Sequence, residues 1–278
     1  MAEPPSTTRL AADVVIDISE VADDADAGVA APRAASADPQ KSPAATPAAD
    51  RPIVDRPLDG RLAIVTGGTG RIGRAVTEGL VEAGARVCII GRDLPRLRTA
   101  LSAAGEDSPL MFLQCDLGSA GEIDGLSDFI ERFDRPVDIL DHTAGVDVRG
   151  AVATGSDDDL DEQYLVKLRC PYLLTQKLQP QLTTAQGHVV FVNSDTALVG
   201  RAGDARRAIT RFGLRGLADS LRQEVREQGV RVTRVYPPGA DDGGVTLGAP
   251  DIASSVVHAL TLPASVEVTD ISLGSPRP

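Results

Sequence analysis

A doubly wound α/β fold, with a parallel seven-stranded sheet and helices on both faces, is predicted by three features of the 278-residue sequence. From residue 58 onward, short apolar runs rich in branched residues alternate with amphipathic stretches, as strands buried on both faces do when helices join them. The first run, residues 62–65, is followed by glycines at 67, 68, 70 and 73. A segment with Ile72, Val76, Leu80 and Val81 at helical spacing comes next. After Gly84 a second apolar run, residues 87–90, completes a strand–turn–helix–strand unit.

The remaining elements follow in order. Asp93 is placed to cap a helix over residues 94–104. Residues 111–114 read as a third strand ending at Cys115 and Asp116. A helix over 120–133 leads to a fourth strand, 137–140, and then to His142-Thr143-Ala144-Gly145. A long helix over 158–178, a fifth strand at 189–192, a helix over 209–228 and a sixth strand at 230–235 come next. A helix over 251–260 and a seventh strand at 266–273 close the chain. In such a sheet the ligand lies at the carboxyl ends of the strands. The glycine turn is Rossmann-like: its backbone can approach a pyrophosphate, and the helix behind it offers unpaired N–H groups and a partial positive charge.

Composition narrows the function classes. A formal charge of -12 and a pI near 4.7 supply no basic field for nucleic acid or an anionic membrane. Cys88, Cys115 and Cys170 sit in or beside apolar runs without metal-ligand spacing, so they read as small buried hydrophobes in a reducing compartment. No apolar run approaches the ~18 residues of a membrane span, and the N-terminus lacks a basic patch before an apolar core. A cytoplasmic protein is the expectation. Residues 1–57, rich in Ala, Pro, Asp and Ser, bury too little apolar surface to offset ordering entropy and are expected to be disordered. Within them Val14-Val15-Ile16-Asp17-Ile18 is either a peptide that docks as an added strand or a chance apolar patch.

TGGTGRIG (66–73), CDLGS (115–119), HTAG (142–145), VKLRCPYLLTQ (166–176), VVFVNS (189–194) and VRVTRVYPPG (230–239) occur in that order. On these motifs residues 58–278 resemble the short-chain dehydrogenase/reductase (SDR) family. The glycine spacing is similar to that of extended members and polyketide ketoreductases, because Arg71 stands where simpler members have a middle glycine. The resemblance implies a nicotinamide dinucleotide cofactor and places Thr66, Gly67, Gly70, Arg71, Ile72, Gly73, Arg92, Asp116, Leu117, Ala144, Gly145 and Pro237 around it. It also implies a Ser at the end of the fifth strand, a Tyr acid/base thirteen residues on, and a Lys four beyond that. Here the Ser is Ser194, but Arg207 and Arg211 occupy the other two positions. The helix Asn of the family corresponds to Lys167, a place where polyketide ketoreductases put their Lys.

A guanidinium does not deprotonate in proteins, so Arg207 cannot act as the proton donor, although it can stabilise an oxyanion. Tyr164, one helical turn before Lys167, is the best-placed substitute phenol. Residues 240–249 carry no amphipathic stretch to cover a substrate, which weakens water exclusion. Arg207, Arg211 and Arg215 recur at four-residue spacing on one helix face. Arg215 is expected to pair with Asp219, whereas Arg207 and Arg211 have no acidic residue at helical spacing. They read as an anion site or as arginines drifting onto a surface released from catalysis. NADP is preferred over NAD, because Gly91-Arg92 ends the second strand where an acidic residue would meet the ribose, and Arg92 with Arg71 suits a 2′-phosphate. His142 reads as a turn residue; Asp141 stands at a normally apolar place without an account from the sequence.

The leading expectation is a redox-silent, dinucleotide-binding or structural subunit. It would form a homo- or hetero-oligomer, with an active homologue as one possible partner, through helices 158–178 and 209–228, as family members commonly do. The alternatives are an NADPH-dependent carbonyl oxidoreductase with a non-standard acid, and a non-redox cyclase or dehydratase that uses Arg207 and Arg211 to stabilise negative charge.

Overall fold

The computed structural model describes residues 56–105, 107–238 and 247–274. The tail up to residue 55, with its 14–18 island, lies outside them, as do residues 239–246 of the connection read as too short for a lid.

Seven strands form one sheet: β1 (Leu62–Thr66), β2 (Arg86–Gly91), β3 (Leu110–Gln114), β4 (Ile139–His142), β5 (His188–Val192), β6 (Arg231–Tyr236) and β7 (Asp270–Ser272). Their order is β3-β2-β1-β4-β5-β6-β7 and all pairings are parallel. The helices are α1 (Arg71–Glu82), α2 (Leu94–Ala104), α3 (Ala120–Ile130), α4 (Asp157–Tyr164), α5 (Cys170–Ala185), α6 (Ala205–Val225) and α7 (Ala249–Thr261). Alternate side chains of each strand feed two cores. Leu62 and Ile64 of β1 pack with α3, α5 and α6, through residues such as Leu126, Leu174 and Leu214. Ala63 and Val65 pack with α1, α2 and α7, through Val76, Leu97 and Val256. Gly79 lets α1 and α7 approach closely, since a Cβ there would lie 3.0 Å from Val257 Cγ2.

Several boundaries differ from the sequence reading for physical reasons. The predicted helix 158–178 is three pieces: α4, a π-helical turn over Leu165–Arg169, and α5, which runs through Pro180 to Ala185. The wider turn swings Lys167 inward, to 9% exposure. β4 starts two residues later than expected, because Val137 is core but precedes the ladder, while the polar Asp141 and His142 lie within it. His142 is therefore no turn residue: its Nε2 is 2.9 Å from Thr175 Oγ1 and its ring stacks on Phe191, with centroids 5.0 Å apart. Helix α6 begins at Ala205, before the expected Ile209, and a 3-10 turn over Arg226–Gln228 ends it. β7 is three residues rather than eight. The segment before it is held by side chains in place of a regular ladder: Thr233 Oγ1 donates to Val268 O and Arg222 Nη2 to Thr269 O.

The three cysteines are free and buried as expected, and burial pushes the Cys88 and Cys170 thiols up to about 12 and Cys115 upward as well. Among the described residues no helix is long and apolar enough to cross a membrane, and no group of three His, Cys, Asp or Glu side chains could hold a metal ion.

Candidate functional site

The sheet reverses direction between β1 and β4, and a cleft of about 580 Å³ opens at the carboxyl ends of the strands there. The turn after β1 shapes one wall. Gly67 has φ +69°, and a Cβ on it would lie 2.7 Å from Ala144 Cα. A Cβ on Gly73 would lie 2.2 Å from Gly67 O, so the turn folds tightly onto the start of α1. Gly70 is the N-cap of α1, and the first turn of that helix carries no acidic side chain to occupy its N–H groups.

Ten of the residues expected around a dinucleotide line this cleft: Gly67, Gly70, Arg71, Ile72, Gly73, Arg92, Asp116, Leu117, Ala144 and Gly145. Thr66 stands behind it as a brace, its Oγ1 donating to Asp141 O and accepting from Ala144 N. Pro237 is not among the lining residues; its carbonyl accepts from Asp195 N, which ties the ends of β5 and β6 together. The sequence reading missed Thr69, Asp93, Arg96, Thr143 and Val166, which also line the cleft. Arg96 was legible: it lies four residues after Arg92, at the start of a helix whose cap, Asp93, accepts from Arg96 N at 3.0 Å. Three arginines and a free helix start in one polar cleft fit the two phosphates of a nicotinamide dinucleotide and a third phosphate on its ribose.

Deeper in, the ends of β4 and β5 hold the residues matched to the family's reaction. Ser194 Oγ donates to Asp195 Oδ1 (2.9 Å) and accepts from Thr196 Oγ1 (3.3 Å). Lys167 Nζ donates to Val192 O (2.8 Å) and Ala144 O (3.3 Å), and its stem lies against Gly145. Burial, then the Arg211 charge, pull its ammonium down to about 8, against the pull of Asp147 and Asp141. Asp141 is fully buried on the neighbouring strand, and burial pushes its carboxyl up to about 7, tempered by Thr143 and Lys167. Thr143 Oγ1 donates to one Asp141 oxygen, and the other has no partner.

The arginines correct the sequence reading. Arg207 and Arg211 are not unpaired: both reach Asp147, sixty residues back in the loop between β4 and α4. Arg207 is 2% exposed, with Nε 2.6 Å from Asp147 Oδ1 and Nη1 3.2 Å from the buried Asp204. The Arg207 Nε–H is not directed along its short approach to Asp147. Arg211 puts Nη2 3.1 Å from the same Asp147 oxygen and donates through Nη1 to Thr196 Oγ1. A chain of contacts therefore runs from Asp147 through Arg211 and Thr196 to Ser194. Asp219 does not answer Arg215 as expected; it is held by Arg222 and Arg234. Tyr164 is 44% exposed and Tyr172 51%, both on helices that face away from the sheet, and Tyr236 is buried with its ring beside Arg234. The cluster can hold negative charge, and its guanidinium groups cannot exchange a proton near neutral pH.

Comparison with known proteins agrees with this architecture. The chain is 29% identical over 245 residues to the glycine betaine reductase ATRR of Emericella nidulans, covering 79% of this chain but only 19% of that much longer protein. It is 26% identical over 227 residues to an uncharacterized oxidoreductase of Staphylococcus aureus (strain MW2), covering 78% of this chain and 97% of the relative. Among solved structures, a metagenomic short-chain oxidoreductase in complex with NADP matches with a TM-score of 0.71 at 29% identity, over 79% of this chain and 99% of that one. The family model described as short chain dehydrogenase matches residues 61–245, and with the glycine turn, the strand order and the cleft in place, the chain belongs to the short-chain dehydrogenase family.

Proposed function

We propose that this chain is an NADP-binding member of its family that has given up ordinary carbonyl reduction and serves as a non-redox or structural subunit. The observation that carries the reading is Arg207: a permanently charged, buried side chain ion-paired to Asp147 and Asp204 where the resemblance expects a phenol. A bound nicotinamide would supply a hydride, and Arg71, Arg92, Gly67, Gly70 and Gly73 would hold its phosphates. Carbonyl reduction also needs a proton delivered to the new alkoxide. Ser194 Oγ is engaged with Asp195 and Thr196, and Arg211 has no proton to give. Tyr164, Tyr172, Ile209 and Phe212 leave apolar area exposed on α4, α5 and α6, which supports an oligomer through these helices, as a homo-oligomer or with an active homologue.

A second reading, NADPH-dependent carbonyl reduction, has one observation in its favour. The Lys167 ammonium, drawn down to about 8, is within range of a general acid. Its known hydrogen bonds go to two backbone carbonyls. The discriminating experiment is NADPH fluorescence titration of the full chain beside turnover on a panel of ketones. The expected result is saturable binding with turnover at background, and gain of reductase activity in the double variant Arg207→Tyr, Arg211→Lys. Turnover in the unaltered protein that disappears in Ser194→Ala would overturn the redox-silent reading.

A further inference from the structure

We propose that Arg211 is a receptor for the carboxylate of a small organic acid, and that Asp147 holds that place when no ligand is bound. The inference goes beyond the redox-silent reading and does not require the dinucleotide.

The two carboxylates near Arg207 and Arg211 are unlike each other. Asp204 is 4% exposed, directly precedes α6, and meets Arg207 three residues on; that pair is built into the fold. Asp147 comes from an irregular loop, its side chain is 53% exposed, and it reaches in to touch Arg207 and Arg211 with a single oxygen. Arg207 thus keeps a buried counter-charge of its own, whereas Arg211, with a side chain 11% exposed, depends on a partner that is open to water. Asp195 is committed to Arg201 at 3.2 Å and to Ser194. Lys167 adds a further positive charge close enough to be felt by Arg211.

An ion pair open to solvent on one side is weak, so another carboxylate of suitable shape exchanges with Asp147 at small cost. Arg211 offers one edge of its fork to that carboxylate, and its second terminal nitrogen is fixed on Thr196 Oγ1, which sets the plane of the guanidinium. A fixed, planar fork selects two oxygens on one carbon over a rounded tetrahedral anion. Thr196 Oγ1 in turn donates to Ser194, so the ligand would sit at the strand end where the cleft meets α6.

The test is a backbone-amide NMR titration of the full chain with butyrate, with butyramide as the neutral control and inorganic phosphate as the competing anion. Butyrate is expected to shift amides of residues 145–149 and 205–211 saturably, and butyramide to leave them unmoved. Asp147→Asn, on an exposed loop and compatible with folding, is expected to tighten butyrate roughly five- to tenfold by removing the competitor. Arg211→Gln is expected to abolish binding, and Arg211→Lys, which keeps charge without the fork, to weaken it. Equal binding of butyramide, tighter binding of phosphate, or unchanged affinity in Asp147→Asn would each overturn the inference. NADPH binding and ketone turnover are read separately, so failure here leaves the redox-silent reading standing or falling on its own result.

Discussion

Asp141 sets a carboxyl group in a strand that is buried on both faces, with Thr143 on one oxygen and no partner for the other. Burial lifts its pKa from 3.8 to about 7, so the native state keeps a proton that the unfolded chain releases near pH 4. Stability from this group is therefore full below its unfolded value and is lost as pH rises toward about 7. Asn is the same shape without the charge. We expect Asp141→Asn to gain stability relative to the unaltered protein as pH rises, by about 2–3 kcal/mol between pH 5 and pH 8, read as the change in the difference of urea midpoints. A difference that stays flat with pH would mean that Asp141 is ionised in the native state throughout. At this scale the sequence gave partial sight of the site. Thr66, Arg71, Arg92, Asp116 and the glycines stand out because motif spacing carries them. Asp147 does not, since its contacts with Arg207 and Arg211 span sixty and sixty-four positions and obey no helical or strand period.

Among the elements, β7 shows how a short edge strand is held without a long ladder. Arg234, on β6, sends Nε and Nη2 to the two oxygens of Asp270, each at 2.9 Å, and Nη1 to Asp219 on α6. Arg222, from the same helix, reaches Val232 O and Thr269 O. One arginine thus fastens strand, helix and edge together. Its planar fork is matched by the carboxylate in a way a lysine could not reproduce. Arg234→Met keeps the stem and removes three charge-assisted bonds. Because Asp219 and Asp270 can rehydrate at their exposed sides, the expected loss is about 2–3 kcal/mol, below the full cost of stranding a buried charge. For a domain of this size that lowers Tm by roughly 5–10 °C. Hydrogen exchange at residues 266–272 should rise more than in β1, and uniform exchange across the sheet would contradict a local clasp. This arrangement explains why β7 reads longer in sequence than it is: residues 266–273 have strand-like composition, but only Asp270–Ser272 pair regularly with β6. The π-helical turn at Leu165–Arg169 was hidden for the opposite reason, since inserting one residue into a turn leaves the apolar spacing before and after it intact.

Taken as a whole, an acidic molecule with a formal charge of -12 concentrates Arg71, Arg92 and Arg96 on one cleft. Net charge opposes any anionic ligand at long range, but solvent ions screen that repulsion beyond about 8 Å. Contacts inside the cleft therefore decide binding. The existing partners of these arginines are exchangeable: Arg92 meets Glu162 at 3.3 Å and Arg96 meets Asp93 at 3.4 Å, with both pairs largely exposed. A 2′-phosphate would replace them with charge-assisted bonds of about 1.5–3 kcal/mol each, whereas a bare ribose hydroxyl offers an arginine much less. NADPH is accordingly expected to raise Tm more than NADH at equal concentration, with affinities at least about tenfold apart. Arg92→Ala combined with Arg96→Ala should bring the two cofactors together by weakening NADPH alone, because the glycine turn and the start of α1 handle the phosphates they share. Added salt should narrow the gap in the unaltered protein and do little in the double variant. If NADH matched NADPH in the unaltered chain, the arginines would be surface charge without a phosphate to serve. The acidic Asp93 and Asp116 in the same cleft would then be the groups that set cofactor choice, by accepting hydrogen bonds from the ribose.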